Sequence, residues 1–134
     1  MSVVWTSSVD DGAYDVKVVR HGDNGYHGIL FVVDSTSSVI IHSQNVTLSR
    51  GALFGPEEDD IAAWLEDALD VIDNPEHRVI AIKKRYEVQR DGDNEWHLIG
   101  MYEDVKDALI RRGDATTNGV DVREWDNVAG KVIE

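Results

Sequence analysis

The segment Pro56-Glu57-Glu58-Asp59-Asp60-Ile61-Ala62-Ala63-Trp64-Leu65-Glu66-Asp67-Ala68-Leu69-Asp70-Val71-Ile72-Asp73-Asn74-Pro75 is the most strongly patterned part of the chain. At 100° per residue, Ile61, Trp64, Leu65, Ala68 and Ile72 fall on one face of a helix. Asp59, Asp60, Glu66, Asp67, Asp70 and Asp73 fall on the opposite face. Pro56 sits near the first turn, where a missing N–H costs nothing, and the acids after it complement the positive end of the helix dipole. Asn74-Pro75 ends the helix, because the residue before proline resists the α region. The pattern predicts an amphipathic helix over 57–73 whose apolar face must be covered by another layer.

The flanking sequence supplies strands for that layer. On the N-terminal side, Tyr14 to Arg20 alternates around Val16 and Val18, and Gly22-Asp23-Asn24-Gly25 is a hairpin turn. Tyr26 to Val33 returns, with Ile29 to Val33 apolar enough to be buried on both faces. A third strand covers Val39–His42 and Val46–Leu48, interrupted at Ser43-Gln44-Asn45. Residues 1–12 read as a loose arm with one apolar patch, Val3-Val4-Trp5. On the C-terminal side, a long strand is predicted over Arg78–Gln89, then a turn at Asp91-Gly92-Asp93-Asn94 and a return strand from Trp96 to Met101. A short helix follows over Glu103–Arg112, with Gly113 as its C′ residue, and Val120 to Trp125 alternates as a last strand. The expected fold is α+β, with a mostly antiparallel sheet of about six strands and two helices on one face, in the order βββα-ββαβ.

A chain of 134 residues fits a single domain over 1–134. Arg20, Gly22, Asp23, Asn24, His27 and Ile29 recur seventy positions later as Arg90, Gly92, Asp93, Asn94, His97 and Ile99. That spacing suggests two related ββα halves, 13–73 and 78–113, although hairpins converge on these turn residues without common descent. The absence of cysteine removes thiol catalysis, disulfides, zinc ribbons and iron–sulfur clusters together. No apolar run approaches a membrane span, and the N-terminus does not read as a secretory signal, so a cytoplasmic protein is expected.

The net charge is −13, and it is uneven. Residues 1–73 carry 13 acids against three bases, and residues 57–73 carry eight acids with no base. Such a field disfavours nucleic acid and anionic lipid and favours a basic protein surface. Asp outnumbers Glu 17 to 9 and Arg outnumbers Lys 8 to 5, which also suits a generally acidic proteome. A proteome-wide adaptation spreads charge over the surface, however, and here it is concentrated on one element.

The remaining constellations carry little chemistry. Asp91, Asp93 and Glu95 have the spacing of a calcium loop, but Trp96 replaces its glycine and Tyr102 its bidentate glutamate. His21, His27, His42, His77 and His97 show no zinc spacing, and no metal or cofactor is expected. Gly51 to Gly55 lacks the Lys-Ser/Thr of a phosphate loop, and Glu57, Glu58, Asp59 and Asp60 would repel an anion there. No Gly-x-Ser-x-Gly is present, so no catalytic residue is assigned. Lys83-Lys84-Arg85 is read as edge-strand protection, or as a partner for the acidic helix within the chain or across a dimer. Trp5, Trp64, Trp96 and Trp125 are core candidates, Trp64 foremost.

The stretch Leu48-Ser49-Arg50-Gly51-Ala52-Leu53-Phe54-Gly55-Pro56-Glu57-Glu58-Asp59-Asp60-Ile61-Ala62-Ala63-Trp64 resembles a segment in small proteins of unknown function from actinobacteriophage genomes. In those proteins a Gly-Ala-hydrophobic-Phe-Gly-Pro run precedes an acidic amphipathic helix after a short β-meander. The resemblance covers about residues 14–73 and implies a bacteriophage accessory protein acting on a host component, in the host cytoplasm. The charge leads to a non-enzymatic binding protein. Its helix face, with Asp59, Asp60, Glu66, Asp67, Asp70 and Asp73, would contact a basic surface of a partner protein. Immunity to a basic toxin and mimicry of nucleic acid are variants of that reading. The alternative is a structural homo-oligomer or minor assembly component, joined through Val3-Val4-Trp5 or an exposed strand edge.

Overall fold

The computed structural model describes residues 3–20, 26–49, 55–116 and 121–133. The fold is α+β, and the described residues contain eight strands and two helices in the order ββββα-ββαββ. The strands form two antiparallel four-stranded sheets rather than one sheet of about six. The chain divides into two compact units, Met1–Ile82 and Lys83–Glu134, and each carries its own sheet and its own helix. The expectation of both helices on one face of a common sheet is corrected accordingly.

The first unit is a meander of β1 (Val3–Val9), β2 (Tyr14–Arg20), β3 (His27–Asp34) and β4 (Ile40–Thr47), paired in that order and followed by α1 (Glu58–Asp73). The β2–β3 register sets Val16 opposite Val32 and Val18 opposite Leu30. These four side chains are fully buried and form the floor on which Trp64, Ala68 and Val71 of α1 pack, with Ile61 and Ile72 at the margin. Ile29 and Phe31, on the other face of β3, are also buried, as the apolar run predicts. The turn at 21–25 and the connection at 50–54 lie outside the described residues.

The predicted N-terminal arm is instead a full edge strand. β1 pairs with β2 from Val3↔Val19 to Val9↔Tyr14, with a bulge between Val3 and Trp5. A bulge lets two consecutive side chains turn the same way, so Val4 and Trp5 both reach the core cluster. Trp5 lies on Trp64, with ring centroids 5.8 Å apart. The arm hid this because its hydroxyl residues alternate with few apolar ones. β4 is continuous, and Ser43-Gln44-Asn45 does not interrupt it.

The end of α1 is built by residues the helical pattern does not contain. The Asn74 N–H donates to the Asp70 carbonyl, and a 3-10 turn, Pro75–His77, follows. Arg78 then folds back, donating from Nε to the Val71 carbonyl (2.7 Å) and from Nη2 to the Ile72 carbonyl (3.1 Å). The last turn of α1 has no base of its own, so Arg78 supplies the cation that the negative end of the dipole favours. Beyond it the predicted strand over 78–89 does not form as one piece. Ser43 N–H donates to the Val79 carbonyl and Ala81 N–H to the Ser43 carbonyl, a single parallel bridge on the edge of β4. The second strand stretch starts only at Tyr86, because the chain passes from one unit to the other at Ile82.

The second unit has sheet order β6-β5-β7-β8, with β5 (Tyr86–Gly92), β6 (Glu95–Tyr102), β7 (Val122–Asp126) and β8 (Lys131–Val132). Asp93 and Asn94, within the predicted turn Asp91-Gly92-Asp93-Asn94, form the β5–β6 turn, both at positive φ (50° and 68°). Asp and Asn tolerate this region better than other side chains do. α2 (Val105–Thr116) packs on β5, β6 and β7 through the buried Ala108. It runs through Gly113, which was expected to stop it. Trp96 is 38% exposed and is not a core residue. No helix among the described residues is long and apolar enough to cross a membrane.

Trp64→Ala should lower the unfolding free energy by about 3–5 kcal/mol, since the cavity opens against four fully buried valines and leucines. Arg78→Ala should cost about 1–2 kcal/mol through the two lost carbonyl contacts. Denaturant melts of both variants check this; a change below about 0.5 kcal/mol in either would remove its assigned role.

Candidate functional site

The exposed face of α1 is where the chain concentrates its charge. Asp59, Glu66 and Asp73 are seven residues apart, so they line up along the helix in steps of about 10 Å. They lie diametrically opposite Trp64 and Ala68, and the packing of those residues on β2 and β3 therefore turns the acids outward. All three are exposed, and among the described residues their carboxylates have no side-chain partner.

The other three predicted site residues are held within the unit. Asp60 accepts from the Ser49 N–H (3.1 Å) and the Ser49 hydroxyl (2.7 Å), tying the start of α1 to the end of the meander. Asp70 accepts from Asn74 Nδ2 (3.0 Å) and faces His77 Nδ1 at 3.0 Å. Asp67 terminates a directed relay. The Val79 N–H can only donate, so His42 Nδ1 accepts it (3.1 Å) and the imidazole proton sits on Nε2. Nε2 then donates to Gln44 Oε1 (2.8 Å), and Gln44 Nε2 donates to Asp67 Oδ2 (3.0 Å). His42 is buried, so this relay satisfies its ring where water cannot. The structure thus separates one acidic face into three structural carboxylates and three outward ones.

The second unit buries ionisable groups, of which the sequence reading had singled out only Lys84, within the Lys83-Lys84-Arg85 stretch. Lys84, Glu87, Glu124 and Asp126 are all buried. Lys84 and Arg85 precede β5 and are not part of a strand; Arg85 lies at 3.3 Å from Asp126 Oδ2. Burial works to raise the Asp126 carboxyl, but the Arg85 hydrogen bond and the Ala129 and Val128 N–H groups outweigh it and hold it below the usual carboxylate range. Burial lowers the Lys84 ammonium, with Glu103 opposing. Glu124 is fully buried; among the described residues neither of its carboxylate oxygens has a hydrogen bond, and Arg112 Nη1 stands 3.9 Å away. Burial pushes its carboxyl above the usual range, and Arg112 offsets part of that. On the opposite face the Arg123 guanidinium stacks over Trp96 (4.2 Å) and Trp125 (5.1 Å) and donates to Gln89 Oε1 (2.7 Å).

The strand reading of Val120 to Trp125 included Glu124 but stopped short of Asp126, which the structure adds as the last residue of β7 on the same face. Nothing in the sequence marked that face as the one α2 would cover. An open cleft of about 640 Å³ lies beside Asp126, lined by Tyr86, Val105, Lys131, Val132 and Ile133. Among the described residues no three His, Asp or Glu side chains converge as metal ligands. Comparison with protein-family models, with curated proteins and with solved structures found no match to this chain.

Asp126 and Glu124 give opposite pH dependences. Asp126, depressed in the folded state, contributes stability above the ordinary carboxyl range that is lost as the pH falls through its folded pKa. Glu124, raised in the folded state, costs stability that grows as the pH rises from the ordinary range through its folded pKa. Glu124→Met should therefore stabilise the protein by about 1 kcal/mol or more at neutral pH. The ionisation-dependent part of the gain should vanish as the pH falls toward about 3, below the ordinary glutamate range, where both states of the wild type are protonated. Urea melts between those limits test this; a destabilised variant at neutral pH would refute it.

Proposed function

We propose that the chain is a non-enzymatic accessory protein of bacteriophage type that binds a basic surface of a host protein through the outward stripe of α1. One observation carries this reading. Asp59, Glu66 and Asp73 form a row of exposed carboxylates with no compensating side chain among the described residues. Solvation alone does not require that row to be free of bases over 16 residues, and α1 contains none. A partner suited to it presents Lys or Arg at a matching repeat of about 10 Å over about 20 Å, as one face of a basic helix does. The phage and host assignments rest on the sequence resemblance. The stripe supports the binding role independently of them.

Such contacts accelerate association and weaken with salt. A tagged pull-down from lysate of the bacterial host, washed at low and at moderate salt, should retain one dominant basic protein at low salt. Glu66→Lys with Asp73→Lys should reduce its retention about tenfold or more while circular dichroism and the melting temperature stay close to wild type. This pair is preferable to any containing Asp60, Asp67 or Asp70, whose reversal would also break contacts within the unit. Equal retention by the double variant would sink the proposal.

A further inference from the structure

The outer edge of β1 is a feature of the first unit separate from the acidic stripe. Among the described strands the sheet edges are β1, β4, β6 and β8. β4 is bridged at Ser43 by the Val79–Ala81 segment. β8 is two residues long and contains Lys131, and β6 begins with Glu95 and carries His97. β1 is seven residues long, Val3-Val4-Trp5-Thr6-Ser7-Ser8-Val9, without proline or an ionisable side chain, in a chain that is 29% charged. Among the described residues its backbone hydrogen bonds run only to β2 and to the turn that follows it. Natural edge strands are blunted by charge, proline, shortness or cover, and among the described residues β1 shows only its bulge near Val3.

We infer that β1 is a self-association edge, on which β1 of a second copy of this chain pairs antiparallel about a two-fold axis at Thr6. The segment is self-complementary in that register. Trp5 and Ser7 share the face toward α1, so pairing sets each Trp5 beside the small Ser7 of the other copy. Thr6 is exposed on the opposite face and meets itself at the axis. The net charge of −13 opposes self-association, and the uncharged β1 edge is where two copies can meet through backbone hydrogen bonds without setting ionisable side chains of the edge strand against each other. The interface is one strand pair, so the dimer is weak and its population depends on concentration. Long-range repulsion between the two acidic molecules makes it tighter as salt rises, opposite in sign to binding through the α1 stripe.

The test is sedimentation equilibrium against concentration at low and moderate salt. The wild type should shift from the 15.0 kDa chain mass toward twice that value, at lower concentration when salt is added. Thr6→Glu should remain at chain mass, because two glutamates meet at the axis, while its cross-strand neighbour Lys17 supports the variant within the monomer. Ser8→Lys, opposite Asp15, is a second variant with the same logic, since it sets a charge beside the partner's strand. An equal mixture of Thr6→Glu and Thr6→Lys chains should recover the dimer that neither forms alone. A wild type that stays at chain mass throughout overturns the inference. So does a folded Thr6→Glu that associates as wild type, or a mixture that fails to recover. None of these outcomes bears on the pull-down through α1.

Discussion

The packing of Trp64, Ala68 and Val71 onto the floor made by Val16, Val18, Leu30 and Val32 is the contact on which the rest of the first unit depends. It buries one side of a 16-residue helix and so dictates where the other side points. It recruits β1, because the bulge near Val3 brings Val4 and Trp5 into the same cluster. It also fixes the level at which Arg78 meets the last turn of α1 and Asp67 meets Gln44. Without that burial the acids of α1 would repel one another along an isolated helix, which short helices in water do not survive.

The acidity of α1 therefore serves two purposes at once. Asp60 and Asp67 sit on the flank that turns toward Ser49 and Gln44, where each accepts hydrogen bonds that join α1 to the meander. Asp70 organises Asn74 and His77 at the helix end. Asp59, Glu66 and Asp73 do none of this. A partner surface would engage the outward row and leave the three hydrogen-bonded carboxylates in place, so binding and stability can be varied separately in this helix.

The second unit handles charge in the opposite way. Its sheet is smaller, and its buried positions include Lys84, Glu87, Glu124 and Asp126 as well as Val88 and Met101. Asp126 is compensated by Arg85 and two backbone N–H groups, whereas Glu124 has only Arg112 at 3.9 Å. A fully buried carboxylate without hydrogen bonds opposes folding at neutral pH. The two groups stand two residues apart on one strand and differ only in what the neighbouring loop and helix bring to them.

The amino-acid sequence by itself determined the elements with strong periodicity. The limits of α1, its burial through Trp64 and Ala68, the double-sided burial of β3 and the β5–β6 hairpin were legible, because each follows from spacing within one segment; the predicted face of α1 left out the buried Val71 and included Leu65, which stays outside the core cluster. It also determined that the charge would gather on one helix face. Tertiary structure decided everything that depended on a second segment. That includes the division into two sheets, the use of Val3–Val9 as an edge strand, the capping of α1 by Arg78 and the sorting of six acids into three held and three free. The burial of Glu124 belongs to the same group, since a strand's alternation says which residues share a face but not which face a helix will cover. Local periodicity is written residue by residue, whereas a hydrogen bond such as Gln44 to Asp67 requires two segments 23 positions apart to meet first.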